Sequence, residues 1–252
     1  MKMRIITTAL AAAIAMSTTA FAASFTDTAG LNETQLAVLD DSVNKGIING
    51  YEDGTVRPYG TLTRAEFATM VARYMGYDTS GVAAFSDTTG HWATGYIQAC
   101  VNQQAINGMG DGTFAPESPV TFNQAAKIVS VVSGMTNGQD IDAMGGYPLA
   151  YLTVGHNGGL FNNLTTGMTG TDYNLNRIDA IVMISNAGGG NTSATGSKTL
   201  DQMTQDEKNE FALALYNNTK DMQTKDPMVQ AHGENLAGWF GTVNVDKEQY
   251  EK

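Results

Sequence analysis

This chain has few of the residues that build catalytic and metal centres. It contains one cysteine in 252 residues, so no internal disulfide can form. With Ile97 and Val101 at helical spacing beside it, Cys100 reads as a small buried hydrophobe. The three histidines, His91, His156 and His232, show no metal-ligand spacing, which argues against zinc. The Asp-x-Asp-x-Asp-Gly spacing of a calcium loop is missing. Lysine and arginine total 14 against 25 aspartates and glutamates, a net charge of −11. That field argues against nucleic acid as the main partner. No Ser/His/Asp or Cys/His set carries flanking signatures, and no carboxylate pair stands out in an aromatic cleft. A cell-wall hydrolase is therefore a weak reading, and no cofactor is called for.

Long apolar runs are also scarce. The one that exists, Ile5 to Met16, follows Lys2 and Arg4 and precedes Ala20-Phe21-Ala22. This is the layout of a secretory signal peptide with an A-x-A cleavage site. Cleavage after Ala22 is expected, which takes the charge from −11 to −13. No later run is long enough to span a bilayer, so the mature protein is expected to be exported. Apolar residues make up 42% of the chain, enough for a core, and 28 glycines imply many turns.

The most informative stretch is Leu62-Thr63-Arg64-Ala65-Glu66-Phe67. Thr63 and Glu66 form a capping box. Phe67, Met70, Val71, Tyr74 and Met75 then trace one apolar helical stripe. Arg64 stands at the first helical position, where the dipole already presents positive charge. Either it is a solvated surface arginine, or it forms an anion site with the free N–H groups of the first turn. On the second reading Arg64→Ala weakens binding and leaves the melting curve nearly unchanged.

The chain repeats itself. Ile48 to Pro58 aligns with Ile106 to Pro116 at an offset of 58, with Ile, Asn, Gly, Asp, Gly, Thr and Pro coinciding. In the same register Thr63 and Glu66 meet Thr121 and Gln124, a second capping box, and Phe122 stands where Arg64 stood. Phe25-Thr26-Asp27 matches Phe85-Ser86-Asp87 at an offset of 60. A fainter third copy places Leu175-Asn176-Arg177-Ile178-Asp179 on Leu62 to Glu66 at an offset of 113, with Tyr147 to Leu152 as its first helix. It lacks the Asp-Gly-Thr loop. In that loop Asp can brace the turn and Gly can supply a positive φ, or the pair can contact a ligand directly.

These residues resemble S-layer homology repeats. The opening appears as Phe85-Ser86-Asp87 with His91-Trp92-Ala93, the loop as Gly110-Asp111-Gly112-Thr113-Phe114-Ala115-Pro116, and the Thr-Arg-Ala-Glu tetrad as Thr63 to Glu66. The resemblance implies an all-α fold: three helical-hairpin repeats in a three-pronged, pseudo-threefold bundle, with the second helices at its centre. The repeats fall at 23–80, 81–138 and, degenerate, 139–187. They follow the signal peptide (1–22) and precede a flexible linker (188–197) and a helical tail (198–252). The resemblance further implies grooves between repeats that bind cell-wall polysaccharide, either a pyruvylated secondary polymer or modified peptidoglycan. The protein would then be held at the cell envelope. The family's groove residues carry over to Arg64, Arg177, Asp53, Gly54, Asp87, Trp92, Asp111 and Gly112. Trp92 can stack on a sugar or pack in the core. Because the second copy lacks the arginine and the third lacks the loop, one groove, that of Arg64, is expected to be best equipped.

The tail opens with a further capping box, Thr204 and Glu207, and a helix is expected over 205–220. Gly238-Trp239-Phe240-Gly241 is an aromatic candidate for a partner contact. Besides wall binding, a self-assembling surface-layer subunit using this tail remains open.

Overall fold

The computed structural model describes residues 25–167, 172–188 and 203–213. Among these residues there are seven helices and no strand. They are α1 (Glu33–Asn44), α2 (Arg64–Met75), α3 (Thr94–Asn102), α4 (Phe122–Val132), α5 (Leu149–Asn157) and α6 (Arg177–Ala187), followed by α7 at 205–213. The fold is all-α. The expected signal segment, nearly all of the linker, and the Trp239-Phe240 pair lie outside the described residues, as does the part of the tail helix beyond 213.

Local chemistry starts the helices. Thr63/Glu66 and Thr121/Gln124 make both hydrogen bonds of the capping box, and Asn32/Gln35 makes a third that the sequence reading missed. Thr204/Glu207 also closes reciprocally. At α6 the box is half made. Asn176 caps the N–H of Asp179. One methylene shorter than glutamate, the Asp179 carboxylate instead accepts from the Thr165 N–H and hydroxyl, the Thr166 N–H and the Asn176 amide. In this way it anchors a loop that lacks an Asp-Gly-Thr turn. The first helix of this third unit, expected at 147–152, is α5, which runs on to Asn157.

Three extended residues, one before each central helix's cap, tie the units together. The Leu62 N–H donates to the Leu175 carbonyl (3.2 Å), Leu175 donates to Val120 (2.9 Å), and Val120 donates back to Leu62 (3.0 Å). All three are fully buried, so this closed ring leaves none of these backbone groups wanting a partner. From the ring, α2, α4 and α6 leave in mutual contact.

Each unit is helix–loop–helix in sequence, yet the closest helix pairs are α2 with α3, α4 with α5, and α1 with α6. The first helix of each unit therefore packs on the second helix of the unit before it, with α1 closing on α6. Of the stripe expected on α2, Phe67, Met70 and Val71 are buried, while Tyr74 and Met75 at its end are only half-buried. The short tail helix joins the same core through buried Phe211 and Ala212, with Phe211 against the His156 ring at 4.3 Å.

Cys100 is fully buried on α3 and its thiol points at the Ala68 carbonyl of α2. Burial raises its pKa to about 12. Because only the thiolate reacts, the native protein at pH 8 is expected to leave Cys100 unmodified by an aromatic disulfide reagent. One equivalent should appear when urea unfolds the chain. Rapid titration in buffer would show that the α2–α3 contact opens.

Candidate functional site

The loops before α2 and α4 are built alike. Asp53 accepts from the Thr55 N–H and hydroxyl, and Asp111 does the same with Thr113. Gly54 and Gly112 supply φ of +77° and +89°. Asp53 also pairs with Arg57 at 3.0 Å. The Thr55 hydroxyl, then Arg57, hold its carboxyl down at about 2. These are turn devices on the outer surface. The structure does not bring Asp53, Gly54, Asp111 or Gly112 into either cleft described below.

Asp87 has a different task. Its two oxygens accept from the N–H groups of Phe114 and Ala115 (2.8 and 2.7 Å). Asp27 does the same for Val56 and Arg57. Ala115 and Arg57 both sit at positive φ, +57° and +50°, a conformation that costs a residue with a side chain about 1 kcal/mol. The carboxylates hold that kink, and the kink aims the carbonyls of Phe114 and Val56 inward. Asp87 therefore stands one bond behind the arginines rather than in a cleft.

Arg64 and Arg177 receive those carbonyls. Arg64 Nε donates to Phe114 O (2.9 Å), one terminal nitrogen to Asn107 O (3.1 Å) and the other to Gln124 Oε1 (3.2 Å). Arg177 repeats this one unit earlier, with Nε on Val56 O (3.0 Å), a terminal nitrogen on Asn49 O (3.3 Å), and Glu66 3.6 Å away. Both side chains are buried, at 5% and 6% exposure. Two expectations need correcting. Arg64 is not a solvated cation: three of its five N–H groups brace the next unit, so truncating it must cost stability. Nor does the helix start offer free N–H groups. Those of Arg64 and Ala65 donate to Ser118 O and Pro116 O, and that of Glu66 to the Thr63 hydroxyl. The first turn of α6 is satisfied in the same manner by Gly60 O, Pro58 O and Asn176.

Each arginine forms the floor of a cleft assembled from three units. The larger, about 280 Å³, is lined by Arg64 from the first unit, Asn107, Met109, Gln124 and Lys127 from the second, and Tyr147 from the third. The smaller, about 140 Å³, is lined by Arg177 from the third, Asn49, Glu66, Thr69 and Arg73 from the first, and Trp92 from the second. Trp92 is 58% exposed, which settles it as a cleft wall rather than a core ring. Thus Arg64, Arg177 and Trp92 lie in clefts, but not in the same one.

Tyr147 and Lys127 escaped the sequence reading. Tyr147 carried a signal: like Trp92, it is the aromatic residue directly before the cap of a unit's first helix, Ala93 or Pro148. Lys127 carried none, because its helical position reads as surface. The sequence alone did not show which neighbour completes each groove. Arg64 reaches forward into the second unit, and Arg177 into the first.

At the third junction Phe122 replaces the arginine. Its ring is fully buried, 5.0 Å from Phe161 and stacked 5.2 Å from Tyr173. Leu31, before the cap of α1, stands where Trp92 and Tyr147 stand in the clefts, and it is buried.

Residues 41–68 and 84–126 match the family model of the S-layer homology domain. The chain is 31% identical over 101 residues to Cell surface glycoprotein 1 of Acetivibrio thermocellus, covering 35% of this chain and 4% of that one. It is 28% identical over 138 residues to the Surface layer protein of Brevibacillus choshinensis, covering 50% and 12%. A Cellulosome-anchoring protein of Acetivibrio thermocellus is 31% identical over 102 residues, covering 37% and 23%. The chain therefore spans less than a quarter of the length of each of these relatives. The stretches 41–68 and 84–126, which supply the loops, the capping boxes and Arg64, are S-layer homology repeats.

Proposed function

We propose that this chain is a non-catalytic protein of the bacterial cell envelope. It holds itself at the surface by taking wall polysaccharide or peptidoglycan into the clefts above Arg64 and Arg177. The observation that carries the reading is the construction of those clefts. Each joins a buried, pre-oriented guanidinium to backbone carbonyls and to an aromatic wall, Tyr147 or Trp92. Arg64 keeps one uncommitted N–H on each terminal nitrogen after its three bonds, a pair spaced to hold an anionic oxygen. An exposed indole suits the apolar face of a sugar. The likeness to proteins named for cell-surface, surface-layer and anchoring roles supports the same assignment, as does the signal segment expected at residues 1–22. The net charge of −11 repels an anionic polymer at long range, so binding must rest on these local groups.

The chain lacking residues 1–22 is expected to sediment with purified sacculi of its host at low and moderate salt. Recovery in the supernatant under both conditions overturns the assignment. The surface-layer names among the relatives also favour a self-assembling subunit. Sedimentation velocity at rising concentration separates the two, since an anchor stays monomeric without its polymer.

A further inference from the structure

The two clefts are not electrostatic copies. At an offset of 58, Glu66 of the smaller cleft becomes Gln124 in the larger, and Thr69 becomes Lys127. Both exchanges move the larger cleft toward positive charge, and a third, Arg73 to Val131, offsets one of them. Glu66 stands 3.6 Å from Arg177 and partly neutralises it, while Thr69 spends its hydroxyl on the Ala65 carbonyl. Each cleft has two cations, Arg64 and Lys127 in the larger, Arg177 and Arg73 in the smaller, but only the smaller also carries a carboxylate, Glu66, among its lining residues.

The two cations of the larger cleft are committed differently. Arg64 is braced to three acceptors. Lys127 makes no hydrogen bond or ion pair among the described residues, and its ammonium lies 5.9 Å over the Tyr151 ring. Burial first, and the Arg64 charge second, lower its pKa from the ordinary lysine value. An ammonium with three donors unspent, half removed from water and beside a like charge, is relieved by an anion and by little else.

We propose that Lys127 is the charge-reading residue of the larger cleft: its ammonium and the spare N–H groups of Arg64 together take an anionic group of the wall polymer, so that this cleft selects acidic polymer. The smaller cleft, with Glu66 on its arginine and Trp92 at its side, reads the sugar ring. This rests on the wall-binding assignment above and adds which residue confers selectivity.

The test compares the chain lacking residues 1–22, and its Lys127→Gln, Lys127→Arg and Trp92→Ala variants, on three preparations. These are untreated sacculi, sacculi whose carboxylates are amidated with carbodiimide, and sacculi stripped of phosphodiester-linked polymer by hydrofluoric acid. On untreated sacculi Lys127→Gln should bind roughly tenfold more weakly, as for loss of one charge-assisted contact. Lys127→Arg should stay within about threefold, because it keeps the charge. The Lys127→Gln defect should vanish on amidated sacculi if the anion is a carboxylate, or on stripped sacculi if it is a phosphate. The Trp92→Ala defect should persist on both. The melting temperature of Lys127→Gln should not fall below the parent's, since the ammonium braces nothing and its charge is disfavoured beside Arg64. Lys127→Gln binding like the parent on untreated sacculi, or losing equally on all three preparations, overturns the selectivity. A parent chain that sediments with none of them overturns the wall-binding assignment, and this inference with it.

Discussion

Phe122→Ala is expected to cost about 3–5 kcal/mol, the range for removing a fully buried aromatic ring and leaving the space unfilled. For a domain of this size that is a fall of roughly 10 °C in the melting temperature. The ring is the keystone of the third junction, against Phe161 and Tyr173. Its own backbone N–H is fixed to the Tyr173 carbonyl at 2.8 Å, so the helix start cannot slide in to close the hole. Phe122→Leu should recover more than half of the loss. Urea unfolding should show a lower midpoint at unchanged slope. The folded variant should still bind sacculi, because neither cleft contains a Phe122 atom. A melting temperature within 2 °C of the parent, a small fraction of the roughly 10 °C expected, would show that the ring is not packed as described.

Arg64→Ala should lose both stability and wall binding. Three acceptors, Phe114 O, Asn107 O and Gln124 Oε1, are left without their donor. A buried acceptor stranded in this way costs about 1–3 kcal/mol. The carbonyl of Phe114 is the deepest, while the open cleft lets water reach the other two, so the net cost is about 2–4 kcal/mol. Arg64→Lys should rescue little, since one ammonium cannot span acceptors set out for a planar fork. Arg57→Ala is the contrast. That side chain is exposed and paired with exposed Asp53, an arrangement worth about 0–1 kcal/mol, and its backbone bond to Asp27 survives. Calorimetry on the three variants, with sacculus binding at a temperature where all are folded, checks both halves. Arg64→Ala melting like the parent would mean the three bonds carry no stability.

Much of this architecture was legible because it is local. Capping boxes are four-residue signals, and three of those read in the sequence form as written. The half-box at Asn176 was also visible, but not that Asp179 would turn its carboxylate to Thr165. That bond depends on a loop 14 residues away. The Asp-Gly-Thr loops repeated with the sequence because each aspartate bonds two residues ahead of itself. Whether they also touch a ligand is a separate matter: they lie on the outer surface, outside the clefts of Arg64 and Arg177.

Periodicity, caps and the 58-residue offset determine, without any coordinates, that the chain forms helical repeats, where its central helices start, and which position carries a guanidinium in one copy and a phenyl ring in another. They cannot determine who meets whom. That α1 closes on α6, that Arg64 braces the second unit while Arg177 braces the first, and that Lys127 arrives beside Arg64 all follow from long-range pairing. Residues far apart in the chain are brought together around the closed ring of Leu62, Val120 and Leu175. The physical reason is that a helix stripe specifies only that a face must be buried, whereas the hydrogen bonds and shapes of the other units decide what buries it.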